Sequence, residues 1–479
     1  MTANLTNQTS QCSRTRTPWQ GRQRRILLIA GVILLCPLVV FFAAKYYSDR
    51  HYAARLATIR TEGNPVTVQD MVAWQEQLHV SADVLEGDVS RQSAKTSADL
   101  QIEAAEELDT VFLDEPEDII DIFKRLIYEE ETLSPADLEP LRRYLSKHSD
   151  LLQLLHAAAE LPPGRFPVDY SKGYEMEVKP LSKIRIAVRL LLLETIAETL
   201  SENRDQAFAA LITAMAVPRP IREEPLVLAQ WIRKSCNGMV LSTLKETLVR
   251  VSYTDAQLNH LRRMFEQEYN PNALANSLMT ERVLGIAAFE DPAGAIASAV
   301  WTRRWMDDVL PGSTRTLVQT ANAFGWFSGE RDVYLDYMDA LIPAARMPYQ
   351  EARNITETIN TELSDGIVLP SLSNLLLSSM DIFFQHTAEH EAGISQGILT
   401  VSLERYRLAH GTLPDQLEAL VPHYLDAMPI DPFSQQPFHY RCEGNGYMLY
   451  SVGANGIDDG GVEGDFFYKE GDLVFQVRR

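Results

Sequence analysis

Apolar residues recur at helical spacing along most of this chain, from about Val66 to His410, and at strand spacing only near its end. The clearest segment is Leu181 to Leu200. There Ile184, Val188, Leu191, Leu192 and Ile196 form one stripe that Ile186, Leu190 and Leu193 broaden, which predicts a largely buried helix. Asp205 to Val217 follows, with Ala207, Ala210, Leu211 and Ala214 on a face of small residues suited to close packing, and Pro218 and Pro220 end it. Antiparallel helix pairs are therefore expected. Start signals recur at Ser134, with Pro135 next and Asp137 three residues on, and at Thr254 with Gln257. Each hydroxyl can accept a backbone N–H that the helix leaves unpaired. Ser134-Pro-Ala-Asp-Leu-Glu-Pro-Leu-Arg-Arg-Tyr144 matches Thr254-Asp-Ala-Gln-Leu-Asn-His-Leu-Arg-Arg-Met264 in Ala, both Leu and both Arg. The match is either chance among amphipathic helices or the mark of stacked helical hairpins, a solenoid-like stack whose surface binds proteins.

The character changes near Met380. A long helix, about Met380 to His410, leads to Gly411, which stops it, and to Pro414, which opens a shorter helix. Phe438 to Arg441, Tyr447 to Val452 and Leu473 to Val477 are short, aromatic or β-branched, and separated by Gly-, Asn- and Asp-rich turns, as in a small antiparallel sheet. A helix packed on such a sheet makes a compact α+β module.

Charge alters the picture at the N-terminus. Residues 1–25 carry five arginines and no acid, although the whole chain of 479 residues has a net charge of -21. The 19 residues Ile26 to Ala44 hold no charge, about 28 Å of helix, enough to cross a bilayer. No A-x-A triplet precedes Lys45, so an anchor is expected rather than a cleaved signal peptide. Five basic residues before the span against Lys45, Arg50 and Arg55 after it place the N-terminus in the cytoplasm. The expected layout is a cytoplasmic basic segment (1–25), a transmembrane helix (26–44), a juxtamembrane helical segment (45–100), a helical-repeat domain (101–375) and a C-terminal α+β domain (380–479). This describes a single-pass protein of a bacterial inner membrane with its bulk in the periplasm. The acidic balance argues against a nucleic-acid partner and leaves protein partners for the helical region. Cys12, Cys36, Cys236 and Cys442 form no C-x-x-C pair, and Cys236 and Cys442 are expected to be separate buried thiols, a disulfide between them being the alternative. Glu281-Arg282 is expected to be a structural ion pair.

Three strings carry a resemblance: Leu403-Glu-Arg-Tyr-Arg-Leu-Ala-His-Gly-Thr-Leu-Pro-Asp-Gln-Leu-Glu-Ala-Leu-Val, Pro429-Ile-Asp-Pro-Phe-Ser-Gln-Gln-Pro-Phe-His-Tyr440, and Tyr450-Ser-Val-Gly-Ala-Asn-Gly-Ile-Asp-Asp-Gly-Gly461. In order and spacing they resemble the globular domain of the major pseudopilin of type II secretion systems. The resemblance implies a helical spine on a small sheet and an acidic glycine loop holding a structural calcium ion. Asn455, Asp458, Asp459 and Asp465 fall in that loop, with Asp472 just beyond, and Asn455 stands where the family commonly has Asp. A pseudopilin places its peptidase site and apolar helix directly before this domain. Here the apolar run lies some 340 residues upstream and has no Gly-Phe-type site. The helical part, including Glu62-Gly-Asn-Pro-Val-Thr and Leu191 to Val217, is similar to uncharacterised bacterial membrane-anchored proteins with the same tail.

The loop also has its own chemistry. Asp458, Asp459, Glu463, Asp465, Glu470 and Asp472 face only Lys469, and six glycines lie between Gly453 and Gly471. Such carboxylates repel unless a hard cation such as calcium takes their oxygens, while glycines let carbonyls turn inward. The alternative is a solvated acidic turn around Asn455-Gly456. A competing signal is His386-Thr-Ala-Glu-His390, which puts two imidazoles one helical turn apart with Glu389 beside them, as an inverted zinc-peptidase motif requires. No downstream helical Glu is obviously placed as third ligand. The expected function is therefore a non-catalytic envelope scaffold with a calcium-binding pseudopilin-like tail, associated with a secretion-type assembly; the alternative is a membrane-tethered zinc metallopeptidase.

Overall fold

A computed structural model of the chain describes residues 18–86, 95–129, 133–298, 313–365, 371–377, 380–464 and 471–479. It is mainly helical, with one small antiparallel sheet near the C-terminus. The first helices are α1 (Pro18–Thr61), α2 (Val68–Glu86), α3 (Ser97–Glu103), α4 (Ala105–Leu113), α5 (Glu117–Lys124), α6 (Leu138–Lys147) and α7 (Ser149–Ala159). The central ones are α8 (Lys179–Leu200), α9 (Arg204–Ala216), α10 (Val227–Arg250), α11 (Asp255–Glu268), α12 (Ala273–Glu290) and α13 (Pro292–Ser298). The last are α14 (Ser313–Ala323), α15 (Ser328–Ala344), α16 (Tyr349–Asp365), α17 (Leu372–Leu377) and α18 (Met380–His410).

The buried stripe read from Leu181 to Leu200 is α8, whose Leu190, Leu191, Leu192, Leu193 and Ile196 are all nearly inaccessible. It packs on α9, whose Ala207, Ala210, Leu211 and Ala214 are all buried, and on α10. Both expected start signals form reciprocal caps. The Ser134 hydroxyl receives a backbone N–H while Asp137 caps Ser134 in return, and Thr254 pairs with Gln257 in the same way. A third cap, Thr96 with Asp99, opens α3.

Helix α18 lies against α10, α11 and α16 and also against the sheet. Two glycines one turn apart make the approach close. A methyl group on Gly397 would stand 2.7 Å from the Phe265 ring of α11, and one on Gly393 would stand 3.1 Å from Asn237 and Leu241 of α10. The sheet comprises β1 (His439–Glu443), β2 (Gly446–Ser451) and β3 (Leu473–Val477), with β2 central and buried throughout. Tyr447 pairs with Cys442 on one side and with Val477 on the other. The sheet is tied to the helices at three points. Gln396 Nε2 donates to the Leu473 carbonyl at 2.7 Å, the Lys245 ammonium sits 5.1 Å above the Phe475 ring, and Arg479 bonds both Glu404 and the Leu248 carbonyl.

Three expectations, those on Pro414, Cys442 and the Glu281-Arg282 pair, are revised. The helix expected to open at Pro414 is a single 3-10 turn, Leu417–Leu420. Cys236 is buried, but Cys442 is exposed with its sulfur 3.1 Å from the Tyr440 hydroxyl, and neither is in a disulfide. Glu281 and Arg282 are not partners, because successive residues diverge by about 100° around a helix. The Glu281 carboxylate takes the Tyr174 hydroxyl at 3.4 Å, while Arg282 reaches Asp339 at 3.8 Å. The span expected at Ile26–Ala44 lies within α1, where the side chains of 18–34, Pro37 and Leu38 are outside the described residues. Among the described residues no helix is long and apolar enough to cross a membrane.

Candidate functional site

Beyond Ala44, α1 continues as a charged stem that docks on α15. Its Ile59 is buried and Leu56 half-buried against the core. Around them the charges interlock. Arg55 donates to Asp339 at 2.8 Å and to the Asp332 carbonyl at 3.1 Å, and it pairs with Asp336 at 2.7 Å. Asp49 receives Lys45 at 3.0 Å and Arg331 at 2.6 Å, and the Arg331 guanidinium also covers the Tyr52 ring at 4.4 Å. Burial works against charge on both Arg55 and Asp49, yet their partners outweigh it. The Arg55 pKa is raised, and that of Asp49 lowered. The reading of the sequence missed this clamp. A signal existed: Asp332, Asp336 and Asp339 fall at i, i+4 and i+7 of α15, one acidic stripe awaiting a basic partner.

The His386-x-x-Glu389-His390 motif does lie on one helix, α18, and both imidazoles line a shallow cleft with Trp231, Arg233, Glu268, Tyr269 and Glu391. Lys234 of α10 occupies the motif itself. Its ammonium bonds both the Glu389 carboxylate and His386 Nδ1, and Gln385 donates to the same carboxylate at 2.8 Å. Burial opposes ionisation of Glu389, but His386 and Lys234 overcome it and hold its pKa at about 2. It is therefore a poor general base at neutral pH. His390 differs. Both of its ring nitrogens are sealed from solvent without a hydrogen-bond partner, and burial together with Arg233 and Lys234 keeps the ring neutral. The Glu391 carboxyl is pushed up to about 7 by burial.

The acidic loop is closed largely by its own hydrogen bonds. Asp472 is buried, and its two carboxylate oxygens accept the backbone N–H groups of Asp459 at 3.3 Å and Gly461 at 2.6 Å. Burial raises its pKa despite those bonds. Asp458 accepts from Gly460 N at 2.9 Å and from the Tyr450 hydroxyl at 3.1 Å, and the first of these holds its pKa below the ordinary value. Asn455 donates its amide to Asp459 at 2.9 Å and accepts the Ile457 N–H at 3.0 Å. Gly461 and Gly471 sit at φ +79° and +84°, where a side chain would strain the turn. Asn455, Asp458 and Asp459 thus lie on one turn that is bonded to Asp472 just before β3, while Asp465 lies outside the described residues. Among the described residues no group of three or more His, Cys, Asp or Glu side chains is placed to hold a metal ion.

No family model, curated protein or solved structure matches this chain.

Proposed function

We propose that this chain is a non-catalytic scaffold of a bacterial cell envelope. In this reading it crosses the inner membrane once through Ile26–Ala44, with its basic end in the cytoplasm and its bulk in the periplasm. Stacked helical hairpins supply a protein-binding surface, and the pseudopilin-like end meets components of a secretion-type assembly. The observation that carries the reading is the clamp of Arg55 on Asp332, Asp336 and Asp339. A scaffold has to hold its binding surface in a fixed relation to its anchor, and a stem bonded to the body at several points does so where a loose linker would not. The fusion of sheet and helices through Gln396 and Arg479 adds to this, since the C-terminal module moves with the rest. Lys234 held against Glu389 and His386 favours a structural polar network in α18 over a zinc site. In the calcium part of the reading, Asn455, Asp458, Asp459 and Asp472 hold the ion together with Asp465.

A pull-down from detergent-solubilised membranes tests the proposal, with the full chain as bait and Arg55→Glu as control. Recovery of secretion-apparatus subunits by the parent chain, diminished by the variant, supports it. Recovery of none, or of freshly cleaved peptides, overturns it.

A further inference from the structure

Helix α14 and the turn that follows it leave three large apolar side chains exposed. Leu317 is 67% exposed, Phe324 60% and Trp326 65%, whereas Phe327 beside them is buried at 7%. The backbone fixes this arrangement. Gly325 takes φ +78° at the helix end, its N–H bonded to the Asn322 carbonyl at 2.8 Å, and Trp326 N–H reaches back to Ala321 at 3.0 Å. A methyl group on Gly325 would stand 3.2 Å from Lys45 Cδ, so the turn rests directly on the stem at Lys45. Ser48 and Ser328 continue that contact.

Lys45 is the first charge after the uncharged run Ile26–Ala44, and Tyr46 and Tyr47, 61% and 79% exposed, follow it. A lysine and aromatics at the end of an apolar helix occupy the headgroup region of a bilayer, the ammonium snorkelling outward and the rings lying at the boundary. Phe324 and Trp326 flank Gly325, which lies against Lys45, on a second, separate segment. Exposed rings on two segments that meet at Lys45 and Gly325 are apolar surface of the kind soluble proteins avoid.

We propose that the Phe324-Gly325-Trp326 turn and Leu317 of α14 are a second membrane contact, seated in the lipid headgroup interface beside the point where α1 emerges. This rests on the anchoring of Ile26–Ala44 proposed above. The occupant is the bilayer surface itself, because the patch adjoins the place where that surface must lie. With the Arg55 clamp, it gives the body two points of attachment and so a fixed tilt on the membrane.

The full chain reconstituted into phosphatidylcholine–phosphatidylglycerol vesicles tests it, the lipids carrying bromine high on the acyl chain or none. Three proteins are compared: the parent, Trp326→Phe, and Trp326→Phe with Phe324→Trp. The bromine-dependent loss of tryptophan emission is expected to be smaller in Trp326→Phe and to return in the double variant. Equal losses in all three, with the protein retained after an alkaline carbonate wash, overturn the interfacial contact but leave the anchor intact. Release of the parent chain by that wash removes the anchor, and the contact falls with it.

Discussion

The guanidinium of Arg55 reaches the carboxylate of Asp339 at 2.8 Å, joining the stem helix to α15 across more than half of the sequence. Arg55 has only 18% of its side chain exposed, while Asp336 on the same stripe has 66%. The two ends of this network should therefore matter unequally. Arg55→Ala removes every bond at once and is expected to destabilise the protein by about 1–3 kcal/mol, whereas Asp336→Ala should cost less than about 0.5 kcal/mol. Urea midpoints of the two variants in detergent check this. Equal losses would mean that the stem is not held through Arg55.

Gly397 lets α18 approach α11 so closely that only a hydrogen fits opposite Phe265. Gly397→Ala gains helix propensity but forces the Phe265 ring or the helix to shift. A net loss of about 1–3 kcal/mol is expected, read as a lower thermal midpoint. A Phe265→Leu partner substitution should recover part of it. A stabilised Gly397→Ala would contradict the packing described.

Glu224 is buried beside Tyr170 and Gln75, the Gln75 amide donating to it at 2.9 Å. Burial raises its pKa from 4.5 to about 7. The unfolded chain sheds this proton near the lower value and the folded chain keeps it to the higher one. The contribution is thus fully present below the lower value and is lost as pH rises toward 7, by up to about 1.4 kcal/mol per pH unit. Denaturation of the parent chain and of Glu224→Gln between pH 5 and 7.5 should show the parent losing stability relative to the variant. Glu281 and Glu391, also raised to about 7 by burial, stay in both proteins and cancel. Parallel curves would contradict the assignment.

Calcium is tested through the acidic turn. If the ion binds there, millimolar calcium should raise the thermal midpoint by an amount that grows with concentration, and Asp459→Asn should abolish the rise. No shift in the parent would leave the turn closed by the bonds from Asp459 and Gly461 to Asp472 alone.

Local features were legible in the sequence and distant ones were not. Met380 to His410 is the helix that its periodicity and Gly411 implied, and the three strands lie within two residues of their expected ends. The capping pairs at Ser134 and Thr254 are separated by three residues, so spacing alone reveals them. Lys234 lies on another helix from Glu389, and nothing local to the His386–His390 motif announces an ammonium in its midst. The same holds for Glu224, whose partners Gln75 and Tyr170 come from two other segments. Exposure of Cys442 likewise depends on β1 lying at the edge of the sheet, which alternation of residue types does not specify.

The most direct test of the proposed anchored, outward-facing arrangement uses that exposed thiol. Spheroplasts freed of soluble periplasm are treated with a membrane-impermeant maleimide, and the parent chain is compared with Cys442→Ser. Labelling of the parent without permeabilisation, lost in the variant, is the predicted result. Labelling that appears only after the membrane is opened, or a chain that leaves with the soluble fraction, would contradict the account.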